Sequence, residues 1–199
     1  MVMKKTSGFT LIELLITLAI VAIVAGLGAP SLRQFIQNTK INTATNDLVS
    51  ALQVARTQAI REGRFGCVCP SSTASAAEPA CLAANTWEKG WIAFLDSTGN
   101  CSFEAATDTL LKVKDTSENT GTEFAIRNNN ASITTSNFVR FNSKGVPETA
   151  PGAGQQGTWV ICDDRGEKAG DITIARGVEI STAGSIRTTK NADRFICPL

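Results

Sequence analysis

Glu13 is the only charged residue between Phe9 and Ala29, a stretch of 21 residues whose only other hydrogen-bonding side chains are Thr10 and Thr17. At the rise of an α-helix such a run spans roughly 31 Å, the thickness of a bilayer's hydrocarbon core. An ionised carboxylate inside hydrocarbon costs at least about 3 kcal/mol. Glu13 therefore needs a positive partner, and the run holds no basic residue. A cut between Gly8 and Phe9 supplies one. It frees an α-ammonium on Phe9, four residues before Glu13, and removes Lys4 and Lys5 with the leader. An amine on one subunit facing Glu13 on another neutralises both charges within a bundle of packed helices. The chemistry these residues offer is processing followed by charge-paired assembly.

The six cysteines, Cys67, Cys69, Cys81, Cys101, Cys162 and Cys197, form the second reactive set. The chain has no histidine, which removes Ser-His-Asp and Cys-His catalysis together with the commonest metal ligand. Cysteines beyond a membrane anchor point to an oxidising compartment and to disulfides. Three are expected. Cys67 and Cys69 lie two apart on an expected strand; they are expected to point to opposite faces, and so not to pair with each other. Cys81 and Cys101 are the nearest candidates for them. Cys162 and Cys197 are left, and a bridge there would tie the C-terminal tail to a central strand. Spacing alone leaves the connectivity open. The irregular spacing argues against a structural zinc site. No catalytic residue, metal or cofactor is expected.

These residues must be positioned by a helix followed by strands. Hydrophobic residues make up 43% of the chain, enough for a core, and the formal net charge is +1. Without Lys4 and Lys5 the chain is close to neutral, so no global charge draws it to nucleic acid or anionic surfaces. From residue 31 to 62, Ile41, Ala44, Leu48, Leu52, Ala55 and Ala59 recur three or four apart, the stripe of an amphipathic helix that can pack on a sheet. Asn42, Thr43, Asp47, Gln53, Arg56 and Arg61 fill its other faces. Gly63 is a natural C-cap, and Gly26, Gly28 and Pro30 are expected kink points. After Gly63 short β-like runs follow at 64–69, 91–95, 110–113, 124–127, 138–141, 159–162, 171–175, 178–181 and 185–188. Turn residues separate them at 97–100, 143–145, 164–166 and 183–184. A long helix and then many strands without intervening helices read as α+β with mostly antiparallel sheet. Residues 71–86, 128–137 and 149–157 read as surface loops, more as connections than as partner contacts.

The run GFTLIELLITLAIVAIVA resembles the N-terminus of type IV pilins and of the pseudopilins of type II secretion. The resemblance implies that a prepilin peptidase and N-methyltransferase cuts after Gly8 and methylates Phe9. It also implies that Glu13 guides assembly and that Pro30 matches the family's helix-kinking proline. The remainder resembles, more weakly, the GspH/FimT/FimU branch of minor pilins and pseudopilins. The carriers are Ala55-Arg56-Thr57-Gln58-Ala59, the segment from Trp87 to Leu95, Phe141-Asn142-Ser143-Lys144-Gly145 and the closing hairpin from Ile172 through Arg187. That branch implies a type IV pilin-like fold, a helix packed on two small sheets, and a low-copy subunit of a priming or tip complex.

The organisation expected is a leader at 1–8, a transmembrane and filament-core helix at 9–30, an amphipathic helix at 31–63 and a disulfide-containing β-rich domain at 64–199. Its place is the bacterial inner membrane with the β-domain in the periplasm, and then the pilus at the cell surface. Expected partners are other minor and major pilins or pseudopilins, the peptidase, and the inner-membrane assembly platform. The expected function is that of a minor pilin in pilus biogenesis. The alternatives are a type II secretion pseudopilin and a DNA-binding pilin. Some relatives bind DNA through Gly-Arg-x-Arg, and this chain reads Gly184-Ser185-Ile186-Arg187. The first Arg is thus lost, leaving Arg187 and Lys190 as the contacts such a role would use and making it the less favoured. The residues 96–100 read as a turn rather than a calcium loop, and Asp163-Asp164 as a turn rather than a catalytic dyad.

Overall fold

The computed structural model describes residues 9–116, 124–128, 138–150, 153–154, 157–169, 172–190 and 197. The leader expected at 1–8, with Gly8, and most of the loop expected at 128–137 lie outside these residues. Helix α1 (Leu11–Glu62) is a single element of 52 residues with Pro30 inside it. A first compact unit ends at Thr39 and a second begins at Lys40.

In the first unit the apolar side chains from Leu11 to Ile36 are exposed. By length and composition this part of α1 can cross a membrane. Pro30 has no N–H to give to the carbonyl four residues back, that of Gly26, yet the helix runs on through it.

In the second unit α1 turns its apolar stripe inward. Ile41, Ala44, Leu48, Leu52, Ala55 and Ala59 are all buried, with Ala51 beside them. The helix stops where the sequence provides a stop. Gly63 adopts φ +66°, and the amide of Arg64 donates to the Ala59 carbonyl at 3.2 Å. This is a Schellman closure, which only a residue tolerant of positive φ allows cheaply.

Two antiparallel sheets enclose the stripe. The first orders β3 (Thr109–Asp115), β2 (Gly90–Asp96), β1 (Phe65–Pro70) and β5 (Val139–Phe141) side by side. The second orders β12 (Ile186–Thr189), β11 (Arg176–Ile180), β8 (Gly157–Cys162) and β4 (Ala125–Asn128). Alternation decides what each strand gives the core. Val68, Trp91, Ala93 and Phe141 of the first sheet meet Ile126, Trp159, Ile161 and Val178 of the second around the helix. Trp87 packs edge-on against Trp159 with ring centroids 5.8 Å apart. The alternate residues, Cys67, Cys69, Ile92 and Phe94, form a separate outer cluster on the first sheet. Val160, Cys162 and Ala175 do the same on the second. The fold class is the expected one, a long helix packed on antiparallel sheets.

Two local expectations are corrected. The span 149–157 is not simply loop: β6 (Glu148–Ala150) and β7 (Ala153–Gly154) pair across it. The strand expected at 171–175 is only β10 (Ile172–Thr173), paired with a strand the pattern does not reveal, β9 (Lys168–Ala169). Ile174 and Ala175 leave the ladder because both their amides donate to the Glu167 carbonyl. A 3-10 turn at Trp87–Lys89 precedes β2. It carries the buried Glu88, which pairs with Arg127 of β4.

Candidate functional site

The helix start is built around Thr10 and Glu13. Thr10 caps α1: its hydroxyl accepts the Glu13 amide at 3.3 Å, and its carbonyl accepts the Leu14 amide at 3.2 Å. A threonine at this position satisfies a donor that the helix leaves free. Thr17 returns its hydroxyl to the Leu14 carbonyl at 2.8 Å. Both threonines thus spend their polarity on their own helix. The Glu13 carboxylate remains as the polar group of the run, and it lies in the first turn, where the helix dipole favours negative charge. Phe9 is 78% exposed, and its ring lies free at the head of the helix. Among the described residues no ion pair involves Glu13.

The cysteines join as Cys67–Cys101, Cys69–Cys81 and Cys162–Cys197. The expectation that Cys67 and Cys69 point to opposite faces is corrected. Side chains two apart on a strand share a face, and both belong to the outer cluster of the first sheet. Along one strand they stand about 6.6 Å apart, at the limit of disulfide reach. Each instead fastens a loop over that face. Cys69 holds the segment 71–86 through Cys81, and Cys67 holds the segment after β2 through Cys101. The first of these loops is well seated, with Ser71 and Ala74 buried. Cys162 holds Cys197 on the outer face of the second sheet. The Cys197 amide donates to the Glu167 carboxylate at 2.8 Å. That bond first, and one from Glu167's own amide second, hold the Glu167 carboxyl below its ordinary range.

Asp96 organises the turn at 96–100. It is fully buried, and its oxygens accept the amides of Thr98 at 2.7 Å, Gly99 at 2.8 Å and Cys101 at 2.6 Å. Cys67, Asp96 and Cys101 lie close enough to suggest a metal triad. The two sulfurs are bonded to each other, however, and the carboxylate is committed to amides. Asp163 likewise accepts its own turn's Arg165 amide and side chain, as a turn residue rather than half of a dyad.

Arg56 is a residue whose role the sequence pattern conceals. Its Nε donates to the Gly145 carbonyl at 2.9 Å and its Nη2 to the Ala183 carbonyl at 3.5 Å. One side chain of α1 thus joins a turn of each sheet. The signal was the pair of turn glycines, both with positive φ. A Cβ on Gly184 would lie 2.2 Å from the Gly145 carbonyl oxygen. Packing therefore accounts for the glycine of Gly184-Ser185-Ile186-Arg187. Arg187 lies 3.6 Å from Glu179 on the neighbouring strand, and Lys190 is exposed beyond β12.

Comparison with known proteins places this geometry. Residues 44–191 match the family described as Type II transport protein GspH. The chain belongs to the GspH family, within the type IV pilin and pseudopilin superfamily. Residues 3–29 of this GspH-family chain match the prokaryotic N-terminal methylation motif. Two fimbrial proteins of Pseudomonas aeruginosa are 42% identical to it over 62 residues. That match covers 31% of this chain and 40% of theirs, so the chain spans less than half the length of these relatives. The crystal structure of the Pseudomonas aeruginosa type IV minor pilin FimU superposes with a TM-score of 0.53 at 20% identity, over 78% of this chain and 92% of FimU. The likeness to FimU is one of fold.

Proposed function

We propose that this GspH-family chain is a minor type IV pilin that takes part in priming and assembling the pilus. The observation that carries the reading is the union, in one chain, of a methylation motif over residues 3–29 and a GspH domain over 44–191. Cleavage after Gly8 frees the Phe9 amine, which is methylated. Glu13 then recruits the amine of a neighbour, and the apolar helices pack into a filament core. The partners are other minor and major pilins, the prepilin peptidase and the inner-membrane platform. The chain begins in the inner membrane with its β-domain in the periplasm and ends in the filament at the surface. A second reading, a minor pseudopilin of type II secretion, has in its favour the family's own description as a transport protein. Cells lacking the chain decide between them. The pilin reading expects surface pili to vanish while exoproteins are still secreted; loss of secretion with pili intact would replace it with the second.

A further inference from the structure

We propose that the cleft between the two disulfide-tied loops of the first sheet is a thiol-exchange site, where an external dithiol opens Cys69–Cys81 while Cys67–Cys101 stays closed. The cleft holds about 250 Å³ and is lined by Cys69, Cys81, Leu82, Cys101 and Phe138 among others. Sulfur from both bridges thus borders one open space. Two observations separate their fates.

The first is where the expelled thiolate goes. A reagent thiolate entering the cleft attacks the Cys69 Sγ. The Cys69–Cys81 bond breaks and its electron pair leaves on the Cys81 Sγ, which is half-buried at the end of its loop and takes a proton from water. The reagent's second thiol then attacks the mixed disulfide and leaves as its own cyclic disulfide, releasing Cys69 as a thiol. The protein gains two electrons and two protons; the dithiol loses them. Attack on Cys101 instead expels a thiolate at Cys67, which is fully buried and lies 3.6 Å from an Asp96 oxygen. A negative charge forming there meets a carboxylate in a dry site, and a poor leaving group slows exchange.

The second is what holds the loop once its bridge is open. The Leu82 amide still donates to the Pro70 carbonyl at 2.7 Å, and the Ser71 amide to the Gly90 carbonyl at 2.9 Å. The Thr73 hydroxyl accepts the Ala80 amide at 3.1 Å. The helix-to-sheet core lies on the other face of β1. Opening Cys69–Cys81 therefore yields a two-electron-reduced form with its core intact.

Graded dithiothreitol on the full chain in detergent, quenched with an alkylating reagent and read by peptide mass spectrometry, tests this. Cys69 and Cys81 should be labelled together, at least roughly ten-fold faster than Cys67 and Cys101, with unchanged far-UV circular dichroism. Equal rates, or the reverse order, overturn the proposal. Leu82→Trp, which narrows the cleft, should slow the first pair several-fold; an unchanged rate removes the cleft as the route. Asp96→Asn should bring the labelling of Cys67 and Cys101 closer to that of the first pair, and no change would refute the charge argument.

Discussion

At the scale of single residues, close approach and charge placement explain most of what distinguishes this chain. Gly66 is required because a Cβ there would lie 2.2 Å from the Ala55 carbonyl oxygen of α1. That obstacle is backbone and cannot swing aside. Gly66→Ala is expected to destabilise the domain by about 1–3 kcal/mol, as measured by chemical denaturation. Arg56→Ala removes two bonds joining the sheets' turns and is expected to cost about 1–3 kcal/mol; Arg56→Lys should restore less than half, because one ammonium cannot reproduce the guanidinium fork. Glu13 stands out in the sequence as the one carboxylate of an apolar run, and the structure puts it in the first turn of α1. Arg56 does not stand out, because an arginine on the polar side of a helical stripe looks like any solvated charge. The shared face of Cys67 and Cys69 follows from the two-residue period of a strand, which the pairing of each with a distant loop obscures.

At the scale of elements, the disulfides all sit on the outer faces of the sheets, where they replace the apolar burial that a second helix layer would supply. Removing Cys162–Cys197 by a double serine substitution is expected to cost about 2–4 kcal/mol while leaving the helix-facing core in place; thermal unfolding followed by tryptophan fluorescence measures it. Cys197 is also held by Glu167. A carboxyl whose folded value is depressed contributes stability at pH above its unfolded value and loses it as pH falls through the folded one. The Cys197 amide resonance should therefore titrate with Glu167, below the ordinary glutamate range, and Glu167→Gln should abolish that titration while leaving the disulfide formed. Strand positions were legible where β-branched and aromatic runs are bounded by glycine turns. The short pair β6–β7 and strand β9 were not, and β10 is shorter than its run suggests. Two- and three-residue strands carry no period, and the Glu167 carbonyl, by taking the Ile174 and Ala175 amides, decides where β10 ends.

At the scale of the whole molecule, two halves of one helix face different solvents. From Lys40 onward the stripe is buried against sheets, and Leu52→Ala should cost about 2–5 kcal/mol, read as a lowered denaturation midpoint. From Phe9 to Ile36 the large apolar side chains are bare, and only a bilayer or neighbouring helices can cover them. Both patterns were readable from spacing, because the first half is apolar all round and the second on one face. Which filament the chain enters is a matter of partners, and these are recognised by surfaces rather than by periods. Glu13 is the residue on which the proposed assembly most directly rests. Cells lacking this chain should regain pili when given the wild type but not Glu13→Ala, while mass spectrometry finds both chains cut after Gly8 and methylated at Phe9. Full restoration of pili by the processed Glu13→Ala chain would contradict it.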